Sequence, residues 1–372
     1  MTEKKPKLFY VLPKYEARSA THFSYLVDFL SEMSKTFEIF LLVEKGEKPE
    51  ENLGCEKSVV LRSKSSVGRL GELFYWMLRA RFSGWRDFYV HYSFAGAFSA
   101  SLVVRIFGGR VFYWNCGEPW KYRRSFRREF FEKTTYRLIN FLVTGSESMA
   151  KQYSRHCKIP LSKTKVMPNW INLSRIDYRE LNLESEKAKM ELGIESGTKI
   201  LLFVHRLSKR KGAHRLPEIL EKLKEEKVFL LILGDGPECQ MIKREFEKIN
   251  LTQRVKIIGW VPQREILKYF ALSDIFLLPS EEEGFPHVLL EALALGVPYA
   301  ANRVGAVEEI TPPSLKKFLA ESENPNDFSE KVRRLLHGSP DELKEIKTEM
   351  LAWVWKFDLS KSLEKFIQMI NR

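Results

Sequence analysis

The segment SEEEGFPHVLLEALALGVP, Ser280–Pro298, puts carboxylates where an apolar run would otherwise be continuous. Glu283 and Glu291 are separated by GFPHVLL, and Glu291 is flanked by Val288, Leu289, Leu290, Ala292, Leu293 and Leu295. A buried carboxylate without donors costs several kcal/mol, so Glu291 has to find a partner. Ribose hydroxyls are suitable donors, and on that reading the acid is partnered only when nucleotide is bound. A neighbouring side chain or backbone N–H would serve as well, which would make Glu291 a buried cap. Glu281 and Glu282 read as a solvated approach to the loop.

Gly284-Phe285-Pro286 follows a strand ending in LLPS, and proline favours a first helical turn, so a helix is expected to begin near Phe285 or Pro286. Backbone N–H groups at such a start, with the helix dipole behind them, form an anion site. Pro286 has no N–H, so the donors fall to Gly284, Phe285 and the residues just beyond, His287 and Val288.

A second cluster lies in VHRLSKRKGAHRLPEIL, residues 204–220, where Arg206 and Lys211 stand five apart across a short loop. Two cations at the mouth of a parallel sheet can neutralise a diphosphate, Arg as a fork and Lys as a point charge. A basic loop of this kind is also what a solvated surface looks like. LGDGPE, with Gly234, is ordinary turn chemistry after a strand. The seven histidines show no metal-ligand spacing, although His205 and His287 fall inside these loops. No metal and no cofactor are expected.

The elements that must carry these loops are legible as short apolar runs alternating with amphipathic segments, the pattern of βαβ units and parallel sheets. Strands are expected at 7–12, 37–43, 57–61, 87–91, 110–114, 141–145 and 165–167, and again at 199–204, 228–233, 254–258, 274–279 and 297–301. Between the blocks, MPNWINLSRIDYRELNLES has turn signals and no clear period, and reads as a linker. The fold class is α/β, with two Rossmann-like domains facing a central cleft: residues 1–173, and residues 174–355 carrying the loops above. The closing segment 356–372 has Leu363, Phe366, Ile367 and Ile370 on one helix face, expected to complete the first domain.

Composition narrows the classes further. At 372 residues and 44% hydrophobic content the chain can build two cores. Of its 61 Lys and Arg and 48 Asp and Glu, 31 basic and 18 acidic residues fall in Met1–Glu180, leaving 30 and 30 for the remainder. The whole excess of +13 therefore sits in the first half, which points to an anionic partner such as a membrane surface or acceptor, or to a solubilising basic surface. KYRRSFRREFFEKTTYRLINF, residues 121–141, concentrates it: Arg123, Arg124, Arg127 and Arg128 surround Phe126, Phe130 and Phe131. Such a helix suits an anionic membrane or lipid phosphate, or is half-buried with a solvated basic side. Cys55, Cys116, Cys157 and Cys239 form no CxxC pair, which fits a reducing cytoplasm. The apolar run before Pro13 is too short for a signal peptide, and no stretch is long enough to span a bilayer. The expected location is cytoplasmic, with membrane contact at most peripheral, at the inner face.

HRLSKRKG, LLILGDGP, IIGWV, LSDIFLLPS, EEEGFPHVLLEALALGVP and VGAVEEI, in that order, resemble the donor half of family 4 retaining glycosyltransferases, which have the GT-B fold. The likeness is strong over 199–311, and the family's E-x7-E motif corresponds to Glu283 and Glu291. It implies a hexosyl-type transfer from a nucleotide-diphosphate sugar to a glycan or lipid-linked acceptor, without metal and by front-face displacement. Glu283 would sit at the donor sugar, Arg206 and Lys211 at the diphosphate, Gly284, Phe285, Pro286, His287 and Val288 at phosphate and sugar, and Glu291 at the ribose. Gly234 would belong to the donor loops, and Gly259, Trp260 and Val261 would lie near the base. The first half departs from the family pattern. The loop after the first strand, PKYEARSATHF, lacks a glycine pair, leaving Ser19, Ala20 and Thr21 to open a helix. WNCGEP stands where a histidine is often found, and makes Asn115, Gly117 and Glu118 acceptor-side candidates. A phosphorylase or a nucleotide-sugar epimerase would share the architecture, and a polyanion-binding protein would share only the charge. No nucleic-acid-binding module is recognisable, so nucleic acid is not an expected partner.

Overall fold

The computed structural model describes residues 5–15, 24–48, 53–321 and 324–371. Two units emerge, dividing between Pro168 and Asn169, with the chain returning to the first unit at Leu359. Among the described residues the first unit contains β1 (Lys7–Leu12), β2 (Glu38–Val43), β3 (Lys57–Val60), β4 (Asp87–His91), β5 (Arg110–Trp114), β6 (Phe141–Thr144) and β7 (Thr164–Val166). The second contains β8 (Lys199–Val204), β9 (Val228–Leu233), β10 (Val255–Gly259), β11 (Ile275–Leu278), β12 (Tyr299–Asn302) and β13 (Leu319–Ala320).

The sheet orders are β3-β2-β1-β4-β5-β6-β7 and β10-β9-β8-β11-β12-β13. Every pairing is parallel. Helices cover such sheets on both faces, so the inner strands are buried and read as apolar runs, KLFYVL and KILLFV among them, while β3, β7 and β10 at the sheet edges are only half-buried. In each sheet the order reverses once, between β1 and β4 and between β8 and β11, and the carboxyl ends of those strands are where doubly wound folds take ligands. These are the two parallel-sheet α/β units of the GT-B fold. No helix among the described residues is long and apolar enough to cross a membrane.

Local chemistry sets the helix starts. Ser65, Ser93, Ser125 and Ser146 each cap a helix of the first unit by accepting from the amide three residues on, at Gly68, Gly96, Arg128 and Met149. A cap of this kind is worth about 1 kcal/mol. Asp177, Asn324 and Ser339 do the same in the second unit.

The helix Leu359–Asn371 belongs to the first unit. Its Phe366 is fully buried and meets the rings of Tyr89, Phe29 and Phe37 at 5.0, 5.3 and 6.0 Å. Its end is fixed by Arg110, whose guanidinium forks onto Asp87 at 2.8 and 3.0 Å and donates to the Ile370 carbonyl at 2.6 Å. The linker start goes the other way. Ile171 donates to the Phe357 carbonyl at 3.0 Å, so residues from Asn169 onward pack as part of the second unit. Truncating Phe366 to Ala removes the ring at the centre of this aromatic slot, and should cost the first unit about 3–5 kcal/mol in urea unfolding followed by fluorescence.

Candidate functional site

The β8 and β11 loops, on either side of the order reversal, bring the sequence's two clusters together. After β8 the chain passes His205 and Arg206, makes a 3-10 turn over Lys209–Lys211 and reverses at Gly212, φ +70°. A Cβ on Gly212 would stand 2.0 Å from the Pro279 carbonyl oxygen, so only glycine lets this turn lie against the end of β11. That approach delivers the Lys211 ammonium to Glu283, Nζ to Oε2 2.8 Å, with both side chains buried.

The Glu283 carboxylate is held on two sides. Its other oxygen, Oε1, lies 3.3 Å from His205 Nε2. The Arg206 amide donates to His205 Nδ1 at 2.9 Å, which makes Nδ1 the acceptor and leaves the ring proton on Nε2, facing the carboxylate. Burial pushes the Glu283 carboxyl up, but Lys211 and His205 outweigh it and hold the group well below the usual carboxylate range. Burial, with Lys211 close by, keeps the His205 pKa below its ordinary value against the opposing pull of Glu283. Glu283 is thus a fixed anion and His205 a neutral donor.

Lys211 has three N–H donors, of which one goes to Glu283 and one to the Glu282 carbonyl at 3.3 Å, leaving one. Arg206 is exposed, and among the described residues its guanidinium takes part in no ion pair. The loop therefore presents a cation already neutralised and one still available.

Glu281 and Glu282 are not a merely solvated approach. Glu281 Oε1 is 3.2 Å from Arg215 Nη2 and 3.6 Å from His214, and its amide donates to the Arg210 carbonyl at 2.9 Å. Glu282 pairs with Arg210 at 3.7 Å. Three consecutive acids thus bind the β11 loop to the β8 loop. Glu291, for which the sequence leaves a nucleotide and a protein partner open, is 3% exposed in the helix His287–Leu295 and interacts with the protein itself.

That helix begins at His287 with Pro286 as its N-cap, one residue later than the proline rule suggests, because ψ of Pro286 is 117° and still extended. The amides of His287 and Val288 open the first turn. Phe285 is buried with its ring 5.8 Å from Phe357. Gly234 follows β9 with φ +134°, and a Cβ there would meet the His205 carbonyl at 1.9 Å. Gly259 ends β10 at φ +88°, followed by Trp260, 55% exposed, and buried Val261.

Three positioning residues were missed in the sequence. Asn169 Nδ2 donates to the Phe285 carbonyl at 2.7 Å and lies 3.3 Å from His287 Nδ1, so it holds the entry to the helix. Asn302, closing β12, donates to the Ser280 carbonyl at 3.0 Å. Gly305, φ +55°, allows its backbone against the Glu283 carbonyl, which a Cβ would approach to 1.6 Å. Asn169 left a trace as the Asn of Pro168-Asn169-Trp170 and Gly305 as the glycine of VGAVEEI, whereas Asn302 left none.

In the first unit Asn115, Gly117 and Glu118 follow β5 at its carboxyl end. Asn115 is buried, donates to the Tyr113 hydroxyl at 3.1 Å and accepts from the Gly117 amide at 2.9 Å. The Gly117 carbonyl accepts from the Tyr153 hydroxyl at 2.7 Å, and buried Glu118 pairs with Lys121 at 2.9 Å. These contacts tie the polar groups into the turn itself. Ser19, with Ala20 and Thr21, lies outside the described residues.

Residues 184–350, inside the second unit, match the model of the family Glycosyl transferases group 1. Among curated relatives, N-acetyl-alpha-D-glucosaminyl L-malate synthase of Bacillus anthracis is 33% identical over 149 residues, 40% of this chain and 39% of that protein. Alpha-monoglucosyldiacylglycerol synthase of Streptococcus pneumoniae is 28% identical over 212 residues, 56% and 47% of the two chains. The chain thus spans less than half the length of either relative. Among solved structures, Anabaena Alr3699/HepE in complex with UDP and glucose superposes with a TM-score of 0.80 at 16% identity, covering 98% of this chain and 99% of that one. The likeness to that solved structure thus runs through both units, while the family model matches residues of the second alone.

Removing the Asn169 amide leaves the Phe285 carbonyl short of a donor in a buried setting. Asn169→Ala should lower stability by about 1–3 kcal/mol in urea unfolding. The pH dependence is set by His205, and His214 shares its sign: burial lowers both pKa values, so the folded state refuses protons that the unfolded chain takes up near pH 6.5. Stability is therefore full above about pH 6.5 and falls as the pH drops through and below it. Urea midpoints between pH 7.5 and 5.5 should show that fall, and His205→Gln should make it shallower, with the His214 part remaining.

Proposed function

We propose that this chain is a retaining, metal-independent glycosyltransferase that moves a hexosyl-type sugar from a nucleoside-diphosphate sugar to a hydroxyl of a glycan or lipid-linked acceptor. The observation that carries this reading is the buried Lys211–Glu283 pair at the β8/β11 reversal, with exposed Arg206 on the same loop. A diphosphate needs positive charge that is not already spent, and a sugar ring needs fixed acceptors; the two loops offer both. The match of the second unit to a glycosyltransferase family supports the reaction class. The superposition on an enzyme solved with UDP makes a uridine nucleotide the first donor to test. The relative named as an alpha-monoglucosyldiacylglycerol synthase is in keeping with a lipid acceptor.

In this reaction the bond from the anomeric carbon to the diphosphate oxygen breaks, and the acceptor oxygen bonds to the same carbon on the same face. The acceptor proton passes to an oxygen of the departing phosphate. Negative charge grows on that phosphate while the sugar becomes oxocarbenium-like, and preorganised donors aimed at the growing charge lower the barrier. Arg206, the remaining Lys211 N–H and the first-turn amides of His287 and Val288 are those donors. Gly284, with Phe285 and Pro286, sets the loop from which they start, and Gly234 keeps the β9 loop close. Glu283, fixed as an anion, accepts from sugar hydroxyls. Glu291 accepts from the ribose, and the base lies by Gly259, Trp260 and Val261. Acceptor recognition falls to the first unit, with Ser19, Asn115, Gly117 and Glu118 as its candidates.

Specific binding of a nucleotide stabilises the native state by mass action, so a thermal-shift series with UDP, GDP and ADP tests the donor site directly. One nucleotide should raise the melting temperature with a saturable dose dependence. No response to any of them would instead favour a phosphorylase, which uses free phosphate. Glu291→Gln removes a charged acceptor from the ribose and should weaken that nucleotide about 10- to 100-fold. Sugar-nucleotide hydrolysis should continue in EDTA, and a loss of turnover there that added divalent cation restores would contradict the metal-free step.

A further inference from the structure

The basic, aromatic stretch that the sequence left with two readings forms the helix Phe126–Leu138, half-buried with its basic side in solvent. An aromatic pair that served the core would turn inward. The core side of this helix is instead formed by Glu132, Thr135 and Tyr136, with Phe131 against Phe98 at 5.0 Å. Phe126 and Phe130 point away from the protein, 83% and 63% exposed. At 100° per residue Phe126, Phe130, Lys133 and Arg137 fall within one narrow outward stripe, and Arg127 flanks it. All three cations are exposed, as are Arg123 and Tyr122 just before the helix.

The acids neutralise Arg124, Arg128 and Lys133, and among the described residues leave Arg123, Arg127 and Arg137 without an ion pair. Glu132 is buried beneath the helix, paired with Arg124 and with Arg128 at 3.1 Å. Glu129, the other acid of the helix, is paired with Lys133 at 2.7 Å. Two large rings this exposed, among cations, are costly to keep in water and are matched by a surface that is apolar below and anionic above. A nucleic-acid duplex would use the cations but leave the two phenylalanines no apolar layer to enter, and a soluble glycan would not need the cations.

We propose that the outward face of this helix docks the protein on an anionic lipid bilayer. Phe126 and Phe130 enter the boundary between headgroups and acyl chains, and Arg123, Arg127 and Arg137 bind lipid phosphates. The helix lies flat, since its other side is committed to the core. This docking goes beyond the sugar-transfer reading and stands or falls without it.

Co-sedimentation of the full chain with vesicles tests it. The protein should pellet with equimolar phosphatidylglycerol and phosphatidylcholine, and less so with rising salt, because exposed charges are screened. It should stay in solution with phosphatidylcholine alone. Phe126→Ser/Phe130→Ser and, separately, Arg127→Glu/Arg137→Glu should each lower the partition coefficient at least about tenfold. Both should keep the wild-type melting temperature, because the changed side chains face outward. Trp355→Ser, at an exposed tryptophan of the second unit, should bind as wild type does. The proposal is overturned if wild type ignores anionic vesicles, or if the phenylalanine pair can be removed without loss. It is also overturned if heparin binds as tightly as vesicles and with equal indifference to Phe126 and Phe130, or if sizing shows a dimer that the Phe126→Ser/Phe130→Ser variant abolishes.

Discussion

A lysine and a glutamate buried against each other organise the second unit. Taking both ions from water is expensive, and their attraction repays it only when geometry is good and further donors and acceptors complete the shell. Here the completion is visible: His205 faces the second carboxylate oxygen, and the Glu282 carbonyl takes another ammonium hydrogen. Replacing either partner alone would strand a charge, whereas the pair as it stands locks two loops that share no strand. Everything else around β8 and β11 follows from keeping them this close. Gly212 and Gly305 permit the backbone approaches, and Asn169 and Asn302 tie down the carbonyls on either side of Glu283.

The pair also settles the division of labour among the charges. A carboxylate held ionised at every ordinary pH is a poor proton acceptor and a dependable hydrogen-bond acceptor. A lysine half-spent on that carboxylate retains its direction but not its full charge. The exposed Arg206 is what remains to draw an anion in. Glu281 and Glu282 look like a surplus of negative charge next to such a site, yet each is matched by a cation of the facing loop. The local balance is therefore set by Arg206 rather than by the count of acids.

How much of this could be read beforehand depends on the distance between interacting residues. Inner parallel strands appear as continuous apolar runs and the half-buried edge strands β3, β7 and β10 as shorter or broken ones, so twelve were legible; β13 is two residues long and has no run to read. The loops carrying Glu283 and Lys211 could be placed at strand ends because glycine and proline punctuate them. Contacts across 116 residues, such as Asn169 to the Phe285 carbonyl, leave no local pattern. Nor does the sequence say that Glu291 finds company within the fold, because every residue around it in the chain is apolar. The pair Phe126 and Phe130 is instructive in another way: an i, i+4 spacing specifies a shared face, and only packing tells whether that face turns in or out.

The return of the chain to the first unit bears on the order of events during synthesis. The second unit is contiguous from Asn169 to Asp358 and has all its strands once the ribosome has passed that point. The first unit, though begun earlier, still lacks the helix that carries Phe366. Until that helix emerges, the slot between Phe29, Phe37 and Tyr89 has no ring to fill it. The half made first is therefore the half finished last, and during that interval its open aromatic slot is the surface a chaperone would have to shield.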